Sequence, residues 1–340
     1  MPKPHQPPFT LTSRIVALVA EISERVGRWV GEGREAVSPR LRRENRIRTI
    51  QASLAIENNT LSIDQVTAIL EGKRVLGTPR EIQEVRNAIL CYDRFSDWKA
   101  TSADDFLTAH GIMMKALVDQ AGAFRSSGVG IYRGDKLVHM APPANRVEHL
   151  VRDLFRWAET TDHHPLVASS ILHYEIEFIH PFADGNGRMG RLWQSLALAS
   201  WHADLAYLPV ESLISERQEA YYAALGEADR QADAAPFAEF MLTAIRDALD
   251  SLPATEQVTE QVTEQVTEQV RLLIRCFSGA EEVTSAELMQ RLGLTHRPSF
   301  QKSYLQPALA SGRIEMTNPA SPRSPVQRYR LTKRTRQKRP

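Results

Sequence analysis

Apolar residues recur along most of this chain at three- and four-residue intervals, the spacing that turns one face of an α-helix toward a core. Thr12 or Ser13 can cap a first helix carrying Ile15, Val16, Val19, Ile22 and Val26. The arginine-dense stretch 40–48 reads as the solvated face of a second, and Ser53-Leu54-Ala55-Ile56-Glu57-Asn58 follows it. The pattern then predicts a short helix and loop over 61–75, a longer helix over 80–98, and another from Asp104 through Leu117. Residues 146–160 turn Val147, Leu150, Val151, Leu154 and Trp157 inward, and 166–179 is apolar on nearly all sides, as a buried central helix requires. Further helices are expected at 192–200, around Tyr221, Tyr222 and Leu225, and over 237–249. The Pro-rich residues 1–8 read as a mobile arm.

Two stretches break this rhythm. Between Gln120 and Pro143, Val129-Gly130-Ile131-Tyr132 and Leu137-Val138-His139-Met140 flank Arg133-Gly134-Asp135-Lys136, which predicts a β-hairpin in a mainly α protein. Residues 255–270 repeat Thr-Glu-Gln-Val. A period of four sets valines on a slowly drifting helical stripe, so this segment reads as a helical or half-ordered connector that leaves coiled-coil pairing, and a homo-oligomer, open. Beyond it, helices over 270–277, 285–292 and 299–310 and strands over 313–317 and 326–331 resemble a winged helix-turn-helix, with its inter-helix turn at Gly293-Leu294-Thr295. The resulting division is an N-terminal helical region (1–100), a core (101–250), a repeat linker (251–269) and a winged-helix domain with a basic tail (270–340).

Composition narrows the function classes. Lys and Arg number 42 against 41 Asp and Glu, so no global field favours nucleic acid or a membrane. From Arg328 to the end every charged residue is basic, a local field suited to DNA phosphates. Cys91 and Cys276 lie far apart in apolar runs and suggest neither a disulfide framework nor a metal knuckle. Without an apolar leader or a run long enough to span a bilayer, the expectation is a soluble, cytoplasmic protein.

Chemistry concentrates in His180-Pro181-Phe182-Ala183-Asp184-Gly185-Asn186-Gly187-Arg188-Met189-Gly190-Arg191. Gly185, Asn186 and Gly187 permit a tight turn whose N–H groups face outward where a helix begins, an anion nest. Arg188 and Arg191, three apart, project from one side of that helix and suit a polyphosphate. Asp184 is a hard oxygen ligand placed for a phosphate-bound Mg²⁺, and His180 is a candidate proton acceptor because the unperturbed histidine pKa lies near neutrality.

This stretch resembles the active-site motif of the Fic (Fic/Doc) family, His-x-Phe-x-Asp/Glu-Gly-Asn-Gly-Arg-x-x-Arg, and matches every fixed position. The resemblance implies an all-α core with the motif between two helices and the transfer of AMP from ATP to a hydroxyl of a protein, possibly of the chain itself. It implies His180 as base, Asp184 as the Mg²⁺ ligand, Gly185, Asn186 and Gly187 as the anion hole, and Arg188 and Arg191 as the phosphate pair. Ser53-x-x-x-Glu57-Asn58 is similar to the inhibitory-helix motif of regulated members, which implies Ser53 and Glu57 as inhibitory residues, with Glu57 reaching Arg191. The hairpin, with Leu137, Val138 and His139, is similar in position to the flap that docks the target segment. Tyr221 and Tyr222 resemble residues near the nucleotide base, although packing explains them almost as well. Alternatives are transfer of another phosphate-containing group, removal of AMP, and a DNA-associated regulator whose core senses nucleotide.

Overall fold

Thr12 starts the first helix by accepting from the Ile15 N–H at 3.1 Å. Helix α1 (Ser13–Gly31) buries Ile15, Leu18, Ile22 and Val26. The computed structural model describes residues 6–31, 39–133, 136–277, 282–294, 296–310, 313–318 and 327–332. The chain divides into two compact units, Met1–Ser251 and Leu252–Pro340.

The expected arm at 1–8 is corrected over the part described. Pro7 is buried, the Pro8 carbonyl accepts from Ala234 N–H at 2.9 Å, and Thr10 N–H donates to Asp233 at 3.0 Å. Proline offers no N–H but keeps its carbonyl, so a Pro-rich strand can still be fastened by acceptors. Residues 1–5 lie outside the described residues.

Helix α2 (Pro39–Ile56) ends where Asn58 takes a left-handed φ of 67° and Asn59 N–H reaches back to the Leu54 carbonyl. Ser62 and Gln65 form a capping box on α3 (Ile63–Leu70), and Thr78 and Glu81 form another on α4 (Pro79–Asp93). Helix α4 is shorter than the periodicity suggested, because Arg94 leaves helical geometry and Phe95–Asp97 tighten into a 3₁₀ turn. Helix α5 (Ala103–Met113) likewise stops short of Leu117, and Ala116 follows with φ 59°.

Strands β1 (Gly130–Arg133) and β2 (Lys136–Met140) pair antiparallel with an irregularity between Ile131 and Tyr132. Helix α6 (Ala144–Thr160) follows, then α7 (Pro165–Ile179), which has Pro165 in its first turn and the His164 Nδ1 accepting from Leu166 N–H. Helix α7 packs on α8 (Asn186–Trp201), burying Leu166, Ile171, Leu172, Met189, Leu192 and Trp193. Each such side chain contributes about 1.5–3 kcal/mol by leaving water, so this pair is a rigid platform for the turn between them. Helices α9 (Val210–Glu216), α10 (Gln218–Gln231) and α11 (Ala235–Arg275) follow, α11 including the Thr-Glu-Gln-Val repeats in helical form.

The second unit has its own core of Val270, Leu273, Phe277, Val283, Leu288, Phe300, Leu305, Ala308, Ile314, Tyr329 and Leu331. Thr284 caps α12 (Ser285–Arg291) through a box with Glu287. The expected helix over 299–310 is three pieces, α13 (Arg297–Phe300), a π-helical turn over Gln301–Leu305 and α14 (Gln306–Ala310). Strands β3 (Val283–Thr284), β4 (Ile314–Met316) and β5 (Arg328–Leu331) form an antiparallel sheet in the order β3-β5-β4. Strand β3 is too short to leave a pattern in the sequence. Gly293 turns at φ 67° after α12, while Thr295 and the tail beyond Thr332 lie outside the described residues.

Candidate active site

The stretch 180–191 joins the end of α7 to the first turns of α8. His180 closes α7 with left-handed φ 49° and ψ 60°. Its Nδ1 lies 3.3 Å from the Glu177 carbonyl, which can only accept, so this bond puts the proton on Nδ1 and leaves the Nε2 lone pair unused. Burial lowers the His180 pKa, against the opposing charge of Glu177, and favours the neutral ring.

Arg125, which no spacing in the sequence singled out, holds this corner. Buried at 3% exposure, it donates through Nε to the His180 carbonyl at 2.7 Å and through its terminal nitrogens to the carbonyls of Ser127, Pro142 and Ile179. Its N–H donates to the Pro181 carbonyl at 2.9 Å. His110 supports the next residues, stacking on Phe182 at 3.6 Å between ring centroids. Its Nδ1 accepts from Gly122 N–H, which assigns Nε2 as the donor to the Asp184 carbonyl at 3.0 Å. Burial pushes the His110 pKa down to about 4, so this brace stays neutral.

Asn186 puts its side chain into the loop itself. Oδ1 accepts from Phe182 N–H and Nδ2 donates to the Phe182 carbonyl, both at 2.9 Å. Its backbone N–H, with those of Gly187 and Arg188, makes no hydrogen bond among the described residues, because a helix's first turn lacks internal acceptors. A Cβ on Gly187 would lie 2.5 Å from Glu57 Oε1 and 3.0 Å from Arg191 Nη1, so only glycine allows these groups so near the turn.

Arg191, 2% exposed, is bound to the end of α2. Its Nε donates to Ser53 Oγ at 3.0 Å, and Nη2 donates to the Ser53 carbonyl at 3.0 Å and to Glu57 Oε1 at 2.7 Å. Burial alone would lower its pKa; Glu57, together with Tyr221 and Glu177, outweighs that and holds it raised. Arg188, 3% exposed, donates to Asp184 Oδ1 at 3.2 Å, and its Nη1 lies 3.7 Å from Glu84 Oε1. The Arg188 Nε and Nη1 atoms are buried without a hydrogen bond. Such donors fit an arginine whose full set of acceptors comes from a ligand.

These groups border a cavity of about 570 Å³ whose lining includes Glu57, Glu177, His180, Gly187 and Arg191 together with His139, Tyr221, Tyr222, Gly226 and Asp229. Glu177 was not anticipated; burial pushes its pKa up, but His173, His180 and Arg191 together hold it low. Tyr221 is buried with its hydroxyl 3.1 Å from His173 Nε2, and Tyr222 is partly exposed.

Of the three hairpin residues, His139 borders the cavity. Its Nδ1 lies 2.7 Å from Asp229 Oδ2 and its Nε2 2.8 Å from the Phe178 carbonyl. Burial lowers the His139 pKa but the hydrogen bond and charge of Asp229 overcome it, so the net shift is upward. Leu137 is exposed, and the Val138 side chain lies outside the described residues.

Among the described residues no three His, Cys, Asp or Glu side chains gather to hold a metal ion. Asp184, partly exposed, is the one carboxylate within the stretch 180–191, a donor that fits Mg²⁺ carried mainly by substrate phosphates and water. No helix of the described residues is long and apolar enough to cross a membrane.

Comparison with known proteins agrees with this geometry. Residues 100–198 match the Fic/DOC family, and residues 268–332 match the C-terminal domain of Filamentation induced by cAMP protein Fic-like. The chain is 29% identical over 255 residues to Protein adenylyltransferase fic-1 of Caenorhabditis elegans, covering 68% of this chain and 48% of that protein. It is 30% identical over 224 residues to Protein adenylyltransferase Fic of Aedes aegypti, covering 62% and 42%. The chain thus spans about half the length of the curated relatives it matches. A 23% identical solved structure, Fic-1 of C. elegans, overlays with a TM-score of 0.57 over 72% of each chain and shows a shared fold. A Fic family protein from Desulfovibrio desulfuricans G20 is 60% identical, with a TM-score of 0.74 over 97% of this chain and 99% of its own. With that overlap along nearly its whole length and an intact motif at 180–191, the chain belongs to the Fic family.

Proposed function

We propose that this chain is a protein adenylyltransferase that moves AMP from ATP to a Ser, Thr or Tyr hydroxyl, restrained by Glu57. The carrying observation is one cavity shared by a His180 with a free Nε2 lone pair and by Arg191 engaged with Glu57. The names of relatives such as Protein adenylyltransferase Fic of A. aegypti support the reaction class. His180 takes the proton as the target oxygen attacks the α-phosphorus, the bond from that phosphorus to the α,β-bridging oxygen breaks so that pyrophosphate leaves, and the turn's free N–H groups receive charge on the phosphate oxygens. Arg188 and Arg191 orient the triphosphate. Asp184 would hold Mg²⁺, which supplies charge neutralisation on the phosphates.

Glu57 and a γ-phosphate need the same Arg191 fork, so the observed pairing keeps ATP from its in-line pose. A displacement of about 1 Å at the reacting centre costs on the order of 100-fold in rate. The test is incubation of the wild-type and Glu57→Gly proteins with ATP labelled at the α- or the γ-phosphate. Label on protein from the α-position alone, increased on the order of 100-fold by Glu57→Gly, is expected. Label from the γ-position alone means phosphorylation. No label from Glu57→Gly sinks the transferase reading and favours a nucleotide sensor, and no increase over wild type removes Glu57 as the restraint.

A further inference from the structure

Asp184 has a partner that the proposed transfer does not use. Its Oδ1 accepts from Gly185 N–H at 2.6 Å and from Arg188 at 3.2 Å, while Oδ2 faces Arg80 Nη2 at 3.4 Å. Arg80 comes from the first turn of α4, 104 residues earlier in the chain. Its Nε lies 3.4 Å from Glu84 Oε1, and its Nη1 donates to the Leu117 carbonyl at 3.4 Å. Glu84 is buried, stands 3.7 Å from Arg188, and accepts from Asn59 Nδ2 at 2.8 Å. Two guanidiniums and two carboxylates therefore alternate around one small circuit, and Arg80 occupies the one Asp184 oxygen that neither backbone nor Arg188 engages.

The two arginines differ in how firmly they are held. Arg188 is enclosed, whereas the Arg80 side chain is 56% exposed and the Asp184 side chain 42% exposed. A long contact between exposed charges is weak and easily exchanged. Without Asp184, Arg80 keeps Glu84 and the Leu117 carbonyl as partners. Mg²⁺ binds through one or two carboxylates at short range and in a fixed octahedron, which a guanidinium at the same oxygen obstructs by both bulk and charge.

We propose that Arg80 is a resident counter-cation of Asp184 that must leave Oδ2 before a divalent cation binds, and so sets how tightly the site takes metal. This rests on the reading of Asp184 as the nucleotide's metal ligand. Arg80 is a positioning residue that acts through Asp184 and touches neither of the reacting atoms.

The test measures Mn²⁺ affinity by electron paramagnetic resonance in the full chain carrying Glu57→Gly, saturated with an ATP analogue whose α,β-bridging oxygen is a methylene. Arg80→Ala should tighten Mn²⁺ about two- to fivefold, the range an exposed ion pair supports, and Arg80→Lys, which keeps a cation, should stay near the parent value. Asp184→Asn should weaken Mn²⁺ binding, and adding Arg80→Ala to it should then change nothing. Arg80→Ala affinity equal to or weaker than the parent overturns the proposal, as does tightening that persists in the double variant. If Arg80→Ala does not fold, looser Mn²⁺ binding in Arg80→Lys overturns the proposal by itself, and parent-like binding supports it. Unchanged Mn²⁺ binding in Asp184→Asn instead overturns the metal reading of Asp184, and the analogue's own affinity without metal separates this from loss of nucleotide.

Discussion

On the proposed reading, His180 can serve as the base because of where helix α7 stops. Its left-handed backbone turns the ring out of the helical register, and the bond from Nδ1 to the Glu177 carbonyl orients it. His180→Ala should abolish transfer in the Glu57→Gly background while ATP affinity, read by calorimetry, stays within a few-fold of the parent; an active His180→Ala protein would remove the residue from that role. The pH profile follows from the lowered pKa. A neutral ring is required, so the rate should hold at neutral pH and fall on acidification only below about 6.5, the ordinary histidine value. The linked stability has the same sign: the unfolded chain takes the proton first, so the contribution is complete above the unfolded pKa and is lost as pH falls through the folded one. A rate that declines on going from pH 7 to 8 as one group deprotonates would contradict this assignment.

The turn between α7 and α8 keeps its form through elements that share no sequence neighbourhood with it. Arg125 ties the corner to the segment around the hairpin through carbonyls at Ser127, Pro142, Ile179 and His180. Arg125→Ala should destabilise the protein by on the order of 3 kcal/mol, because several charge-assisted bonds are lost and buried carbonyls are left unmade; an unchanged melting temperature would refute it. Nothing in the sequence marked this arginine, since its partners are backbone oxygens up to 55 residues away and a carbonyl carries no residue identity. Glu84 and Arg80 were equally silent, being ordinary helix charges until the fold sets them beside Arg188 and Asp184. The stretch 180–191 was legible because its groups are contiguous and its glycines are required by the backbone. The approach of Glu57 to Arg191 could be expected only through the family resemblance, for no local pattern joins two helices so far apart in the chain. Helix existence was readable from periodicity, whereas the ends of α4 and α5 depended on single residues leaving helical geometry.

The chain combines a unit carrying the candidate active site with a second unit that has its own core and three-stranded sheet. We propose that the second unit is a winged helix that binds DNA. Fluorescence anisotropy with the full chain should then show affinity falling steeply with salt, as each neutralised phosphate releases counterion; no binding at low salt would assign the unit to protein recognition. The restraint proposed for the first unit also has an order in time. Glu57 precedes Arg191 by 134 residues, so the ribosome releases the restraining helix before the arginine it grips. At about 5–20 residues per second, roughly 7 to 27 seconds separate the two. The carboxylate is thus already waiting when the α7–α8 turn first forms, and on the proposed reading the newborn protein has no unguarded interval. On that reading neighbouring nascent chains would be spared modification, and activity would begin only when Glu57 is drawn away from Arg191.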